Sequence, residues 1–187
     1  MSRISMFGVL LLTCMAQAQE AAHSQWQPLA PADLEVRLAD QQGRSTNFYR
    51  DLVAGKTTVI NFIFTECTQV CPMLTAQFRA LEKQAAELAI KDVQLVSVSV
   101  DPERDTAAAL RRFAADSQAG WIFLSASEVN VKKLLEAFRL PLQQRDGHTS
   151  RFVIASGPLG KWTSVDGFSD VNEILKLVAE VRAQNKR

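Results

Sequence analysis

Thr57-Thr58-Val59-Ile60-Asn61-Phe62-Ile63-Phe64 runs directly into Thr65-Glu66-Cys67-Thr68-Gln69-Val70-Cys71-Pro72, and the join between the two stretches decides how this 187-residue chain is read. The first stretch is β-branched, aromatic and almost continuously apolar, the pattern of a central strand covered on both faces. The second closes on Pro72, a residue suited to the first turn of a helix, and Met73, Leu74, Phe78, Leu81, Ala85 and Leu88 follow at three-and-four spacing. A buried strand therefore delivers Cys67 at its carboxyl end, and a helix opens at Cys71. The unbonded N–H groups and positive dipole end of that helix favour thiolate over thiol, which suits a nucleophile or a soft-metal donor equally. Taken alone, the CxxxC spacing fits a redox dithiol, half of a metal site, or a small structural disulfide. The last is the weakest of the three, because closing so short a loop constrains little of the unfolded chain.

Working outward, residues 34–38 alternate apolar and polar, Asp40-Gln41-Gln42-Gly43 supplies turn chemistry, and residues 45–48 resume the pattern, which reads as a hairpin. Downstream, residues 93–100 form a second buried strand. Asp105 is placed as the N-cap of a helix reaching Asp116, residues 121–124 form a short strand, and residues 128–138 another helix. Residues 151–155 and 161–165 flank a Gly157-Pro158-Leu159-Gly160 turn, and a last helix covers about 170–183. The order is hairpin, βαβαβα, then ββα. It implies an α/β fold of thioredoxin-like type, with a mainly parallel central sheet, helices on both faces and an extra N-terminal hairpin. In such sheets ligand groups gather at the carboxyl ends of strands, where Cys67 stands at one end and Asp101 at the next.

Met1–Ala18 carries one basic residue, Arg3, then an apolar run of about a dozen residues and Ala16-Gln17-Ala18. This reads as a secretory signal cut after Ala18, with residues 19–33 as a flexible tether and 34–187 as a single domain in an exported, periplasmic or otherwise extracytoplasmic protein. Any membrane association would come through an uncleaved N-terminus or one lipidated at Cys14. Removing the signal takes away Arg3 and Cys14. That turns 21 basic and 20 acidic side chains into 20 of each and leaves Cys67 and Cys71 as the whole cysteine inventory. A neutral chain without a Lys/Arg cluster has no footprint for nucleic acid. With 47% hydrophobic and 22% charged residues, disorder is excluded.

Two histidines remain, His23 in the tether and His148 in Asp146-Gly147-His148-Thr149-Ser150, just before the strand that opens at Arg151. A lone loop histidine is ordinarily solvated. In a thioredoxin-like arrangement, however, the loop entering that hairpin lies beside the cysteine-bearing helix start, so two thiolates and an imidazole could converge. That donor set suits Cu(I) or Cu(II), and zinc with a fourth ligand.

Three motifs together resemble the Sco/SenC family of copper-binding, thioredoxin-fold cytochrome c oxidase assembly proteins: residues 64–72 around Cys67 and Cys71, Val100-Asp101-Pro102-Glu103-Arg104-Asp105-Thr106, and His148-Thr149-Ser150. The resemblance spans about residues 34–181. It implies copper ligation by Cys67, Cys71 and His148, thiols that also cycle to a disulfide, and a protein client with a copper or dithiol site, such as a cytochrome oxidase subunit. Two departures stand out: Ala107 replaces the family's usual proline, and the segment between Phe138 and His148 is short. The alternative function is a thiol-disulfide oxidoreductase in which Cys67 and Cys71 are catalytic and His148 is dispensable. A peroxiredoxin-like site is disfavoured because Phe64 and Ile60 stand where its threonine and proline belong. Asp101 and Glu66 are candidates for supporting the site from outside the ligand set, while Met73, Trp121 and Phe123 are assigned to the core.

Overall fold

The computed structural model describes residues 25–90, 92–141 and 150–185. Eight strands form one sheet: β1 (Gln27–Pro28), β2 (Arg37–Asp40), β3 (Ser45–Asn47), β4 (Thr57–Ile63), β5 (Val93–Ser99), β6 (Ile122–Ser125), β7 (Arg151–Ser156) and β8 (Lys161–Asp166). Their order across the sheet is β1-β8-β7-β4-β5-β6-β2-β3. All seven residues of β4 are buried, as its unbroken apolar sequence requires of a strand covered on both faces. The expected parallel core is the trio β4, β5 and β6. The β7–β8 hairpin joins it antiparallel beside β4, and the β2–β3 hairpin joins it antiparallel beside β6, so the complete sheet is mixed.

Among the described residues four α-helices cover this sheet: α1 (Cys71–Glu87), α2 (Ala107–Asp116), α3 (Glu128–Ala137) and α4 (Val171–Asn185). The two-residue period of β4 sorts its side chains between two cores. Val59 and Ile63 pack with Leu74, Phe78 and Leu81 of α1, Leu110 of α2 and Ile174 and Val178 of α4. Ile60 and Phe62 face the other way, toward Val131, Leu134 and Leu135 of α3 and toward Phe48, Leu52 and Val53 of a π-helical turn, Phe48–Val53. Helices on both faces are thus borne out.

The segment expected to be a tether is packed where it is described. Gln27 and Pro28 pair with Trp162 and Lys161 of β8, and Leu29 and Leu34 are buried in the α3-side core. Pro28 is tolerated because β1 is an edge strand, and Pro31 opens a 3₁₀ turn, Pro31–Leu34, that delays the hairpin's first strand to Arg37. A second correction concerns Asp105. The N-cap of α2 is Thr106, whose hydroxyl accepts from Ala109 N–H at 3.2 Å. A third concerns Met73, which is 60% exposed rather than core, because α1 turns Leu74 and Phe78 inward instead. Trp121 and Phe123 are core as expected, stacked with ring centroids 5.4 Å apart.

Candidate metal centre

The site is built where β4 ends. Cys67 N–H donates to Phe64 O at 3.3 Å, which turns the chain out of the strand, and α1 begins four residues later. The N-cap position of α1 is Val70, whose side chain can accept nothing, so the first N–H groups of the helix need another acceptor. They find it in sulfur: Cys71 N–H donates to Cys67 Sγ at 3.2 Å. The thiol of Cys67 therefore occupies the role that Ser, Thr, Asp or Asn fills at an ordinary helix start.

This placement makes the two cysteines unequal. Burial would raise the Cys67 thiol, but hydrogen bonds from the Cys71 thiol and from the N–H groups of Cys71, Gln69 and Val70 outweigh it and hold the group below its ordinary value. Cys71 is fully buried against Phe64, with Val100 packed alongside. Burial pushes its thiol up to about 12, helped by the hydrogen bond to Cys67 and by the negative charges of Cys67 and Asp105, while a Phe64 backbone hydrogen bond pulls the other way. One sulfur, buried but not fully enclosed, is thus the more easily ionised donor. The other is a fully buried thiol that holds its proton far more tightly, and the two are not joined by a disulfide.

A polar chain ties this loop to the next strand end. Asp105 is 1% exposed; its carboxylate accepts from Thr65 N–H at 3.2 Å, from the Thr65 hydroxyl at 2.6 Å and from the Ser99 hydroxyl at 2.5 Å. Ser99 Oγ in turn accepts from Asp101 N–H at 3.0 Å. Asp101 and Glu66, the expected supporting residues, are brought together by Arg104, whose guanidinium lies 3.2 Å from Asp101 Oδ2 and 3.9 Å from Glu66 Oε2. Thr65, Ser99 and Arg104 are absent from the expectations above. The D-x-x-x-D spacing of Asp101 and Asp105 was the available signal, and it was absorbed by the capping assignment.

His148, His23 and Cys14 lie outside the described residues. The β4–β7 ladder pairs Thr57 with Ser156 and Ile60 with Val153, so the chain entering β7 arrives at the cysteine end of β4. Gly167 N–H donates to Ser150 O at 2.6 Å, and a methyl at Gly167 would lie 2.6 Å from Leu74 Cδ2 in the first turn of α1. Ser150 is therefore held beside the helix that starts at Cys71. Among the described residues no three His, Cys, Asp or Glu side chains converge as a metal site.

The sequence matches the family described as SCO1/SenC over residues 24–177. A SCO1 protein homolog of Bacillus subtilis is 33% identical over 144 residues, covering 70% of this chain and 72% of that protein. The chain belongs to the SCO1/SenC family. A Stutzerimonas stutzeri protein described as copper-binding is 29% identical over 107 residues, 57% of this chain and 52% of that one, so the match spans about half the length of that relative. Among solved structures, BsSco superposes with a TM-score of 0.68 at 25% identity, over 81% of this chain and 91% of that chain. It is a member of the Sco family of cytochrome c oxidase assembly proteins in which a disulfide switch is described. The thioredoxin-like reading of the fold is borne out by this superposition and by the parallel trio at its centre.

Proposed function

We propose that this SCO1/SenC protein binds copper and hands it to a protein client. Cys67, Cys71 and His148 would be the ligands, and by family resemblance the client would be the copper A site of a cytochrome c oxidase subunit. The observation that carries the reading is the pair of thiols at one helix start, with Cys71 N–H 3.2 Å from Cys67 Sγ. Two soft donors four residues apart in sequence suit copper, and the chain entering β7 is anchored beside them, two residues after His148. A site limited to two sulfurs and one imidazole is under-coordinated, which favours release by ligand exchange. The copper-binding description of the Stutzerimonas relative supports the choice of metal. Residues 1–18 would act as an export signal, placing the domain in an oxidising compartment.

The test is an anaerobic copper titration of the reduced chain from residue 19, read by absorption and paramagnetic resonance. One copper per chain is expected, with a sulfur-to-Cu(II) charge-transfer band that His148→Ala loses or shifts. Unchanged colour and affinity in that variant would remove His148 from the ligand set.

A second reading, thiol-disulfide exchange on a client, is favoured by the inequality of the two thiols: a less deeply buried one held low and a fully buried one raised to about 12 form an attacking and a resolving pair. The disulfide switch described for BsSco points the same way. Trapping of a client on Cys67 in Cys71→Ser is the expected outcome, and no trapped client with a fully reducible pair would count against it.

A further inference from the structure

Asp105 is a carboxylate with 1% exposure that caps no helix, since Thr106 does that work. Among the described residues no Lys, Arg or His lies within ion-pair distance of it. Burying a charge without a counter-ion is costly, and the cost is met here only by hydrogen bonds. Among the described residues its hydrogen-bond donors come from two places: Thr65, two residues before Cys67, and Ser99, the last residue of β5. Ile63 and Ser99 are register partners at the ends of β4 and β5, so the carboxylate closes the gap that opens where the two strands stop pairing. An apolar residue would fill that space but could not hold Thr65 N–H, which the strand ladder no longer serves.

We infer that Asp105 is the positioning residue of the dithiol, fixing the Thr65–Cys67 turn so that Cys67 Sγ stays within reach of Cys71. The inference rests on the reading of Cys67 and Cys71 as the reactive pair, and it requires no metal. Two thiols held in register have a high effective concentration toward each other, so their disulfide forms readily. In the exchange with glutathione disulfide, the Cys67–Cys71 S–S bond forms as the glutathione S–S bond breaks. The protein loses two electrons and two protons, and two reduced glutathione molecules leave. Loosening the turn lowers the equilibrium constant of that exchange.

The experiment measures this constant for the chain from residue 19 in glutathione buffers, well below the unfolding midpoint of each variant. Asp105→Ala is expected to disfavour the disulfide at least tenfold, about 30 mV for a two-electron couple. Asp105→Asn keeps an acceptor for Thr65 and is expected to stay within about threefold of the parent. Lys132→Ala, on the exposed side of α3, should not shift it. An Asp105→Ala value equal to the parent's overturns the inference, as does an Asp105→Asn value as low as that of Asp105→Ala. Should Asp105→Ala fail to fold, Thr65→Val, nearly isosteric and lacking the hydroxyl donor, carries the same test: a clear fall is expected, and no change overturns it. A parent protein that takes up no copper but shows these shifts would refute copper transfer while leaving the role of Asp105 standing.

Discussion

Alkylation of the reduced protein by a small, limiting amount of iodoacetamide should label Cys67 almost alone. The thiolate is the reacting species, so the ratio of rates follows the ratio of thiolate populations. With its thiol at about 12, Cys71 is ionised in about one molecule in 100,000 at pH 7. Cys67, held below the ordinary 9.0, is ionised in at least about one in 100. The populations alone predict a preference of at least about a thousandfold, and the full burial of Cys71 adds to it. The pH dependence has a definite sign: the Cys67 rate climbs about tenfold per pH unit and has its inflection below pH 9, because the helix N–H groups stabilise the product of ionisation. The assay is peptide mass spectrometry of quenched samples between pH 5 and 10. Comparable labelling of both cysteines at pH 7, or a Cys67 inflection above 9, would refute the reasoning that hydrogen bonds from the start of α1 outweigh burial.

Other perturbations test the scaffold. Gly167→Ala would put a methyl 2.3 Å from Ser150 O and 2.9 Å from Phe152 Cε1, so backbone must move; a loss of about 1–3 kcal/mol is expected in urea unfolding, and an unchanged midpoint would mean this turn is slack. Phe78 sits edge-on between Trp121 and Phe152, at 5.2 and 5.1 Å, and Phe78→Ala should cost about 3–5 kcal/mol in the same measurement. Removing residues 19–30 strips β1 and Leu29 from Trp162 and should lower the unfolding free energy by about 1–3 kcal/mol, whereas a true tether could be cut without effect.

The strand-and-helix order was legible because each central element carries a strong period: seven buried residues in β4, and three-and-four spacing in α1. The dithiol was legible for the same reason, since a strand end and Pro72 bracket it. What escaped was short or non-local. Gln27 of β1 pairs across 135 positions with Trp162, and no local pattern announces that. The π-helical turn at Phe48–Val53 is too short to develop a period. Asp105 was misassigned because an aspartate before a helical run ordinarily caps it. Only the tertiary meeting of β4 and β5 shows that Thr106 caps and Asp105 turns inward to Thr65. Met73 shows the limit of spacing arguments at a helix start: within the first turn, one residue's rotation separates Met73 in solvent from Leu74 in the core.

Copper uptake and disulfide formation share their first requirement and then exclude each other. In the proposed function both would begin at Cys67, whose ionisation the helix start eases, and both would need the proton of Cys71 to leave a fully buried site. For Cys71 that departure is unfavourable unless something compensates in the same place: a soft cation, which supplies positive charge, or a bond to the Cys67 sulfur, which removes the charge altogether. A buried, high-lying second thiol thus resists half-reactions and commits only when one of these two partners is present. The reduced pair is therefore protected against casual oxidation at Cys71, while either productive outcome draws on both cysteines at once. It follows that copper loaded at the pair should slow its oxidation by glutathione disulfide, and that the disulfide form should take up no copper at these sulfurs. Retention of oxidation control by a His148→Ala variant that still binds copper through sulfur would show that the imbalance between Cys67 and Cys71, more than the imidazole, governs which outcome prevails.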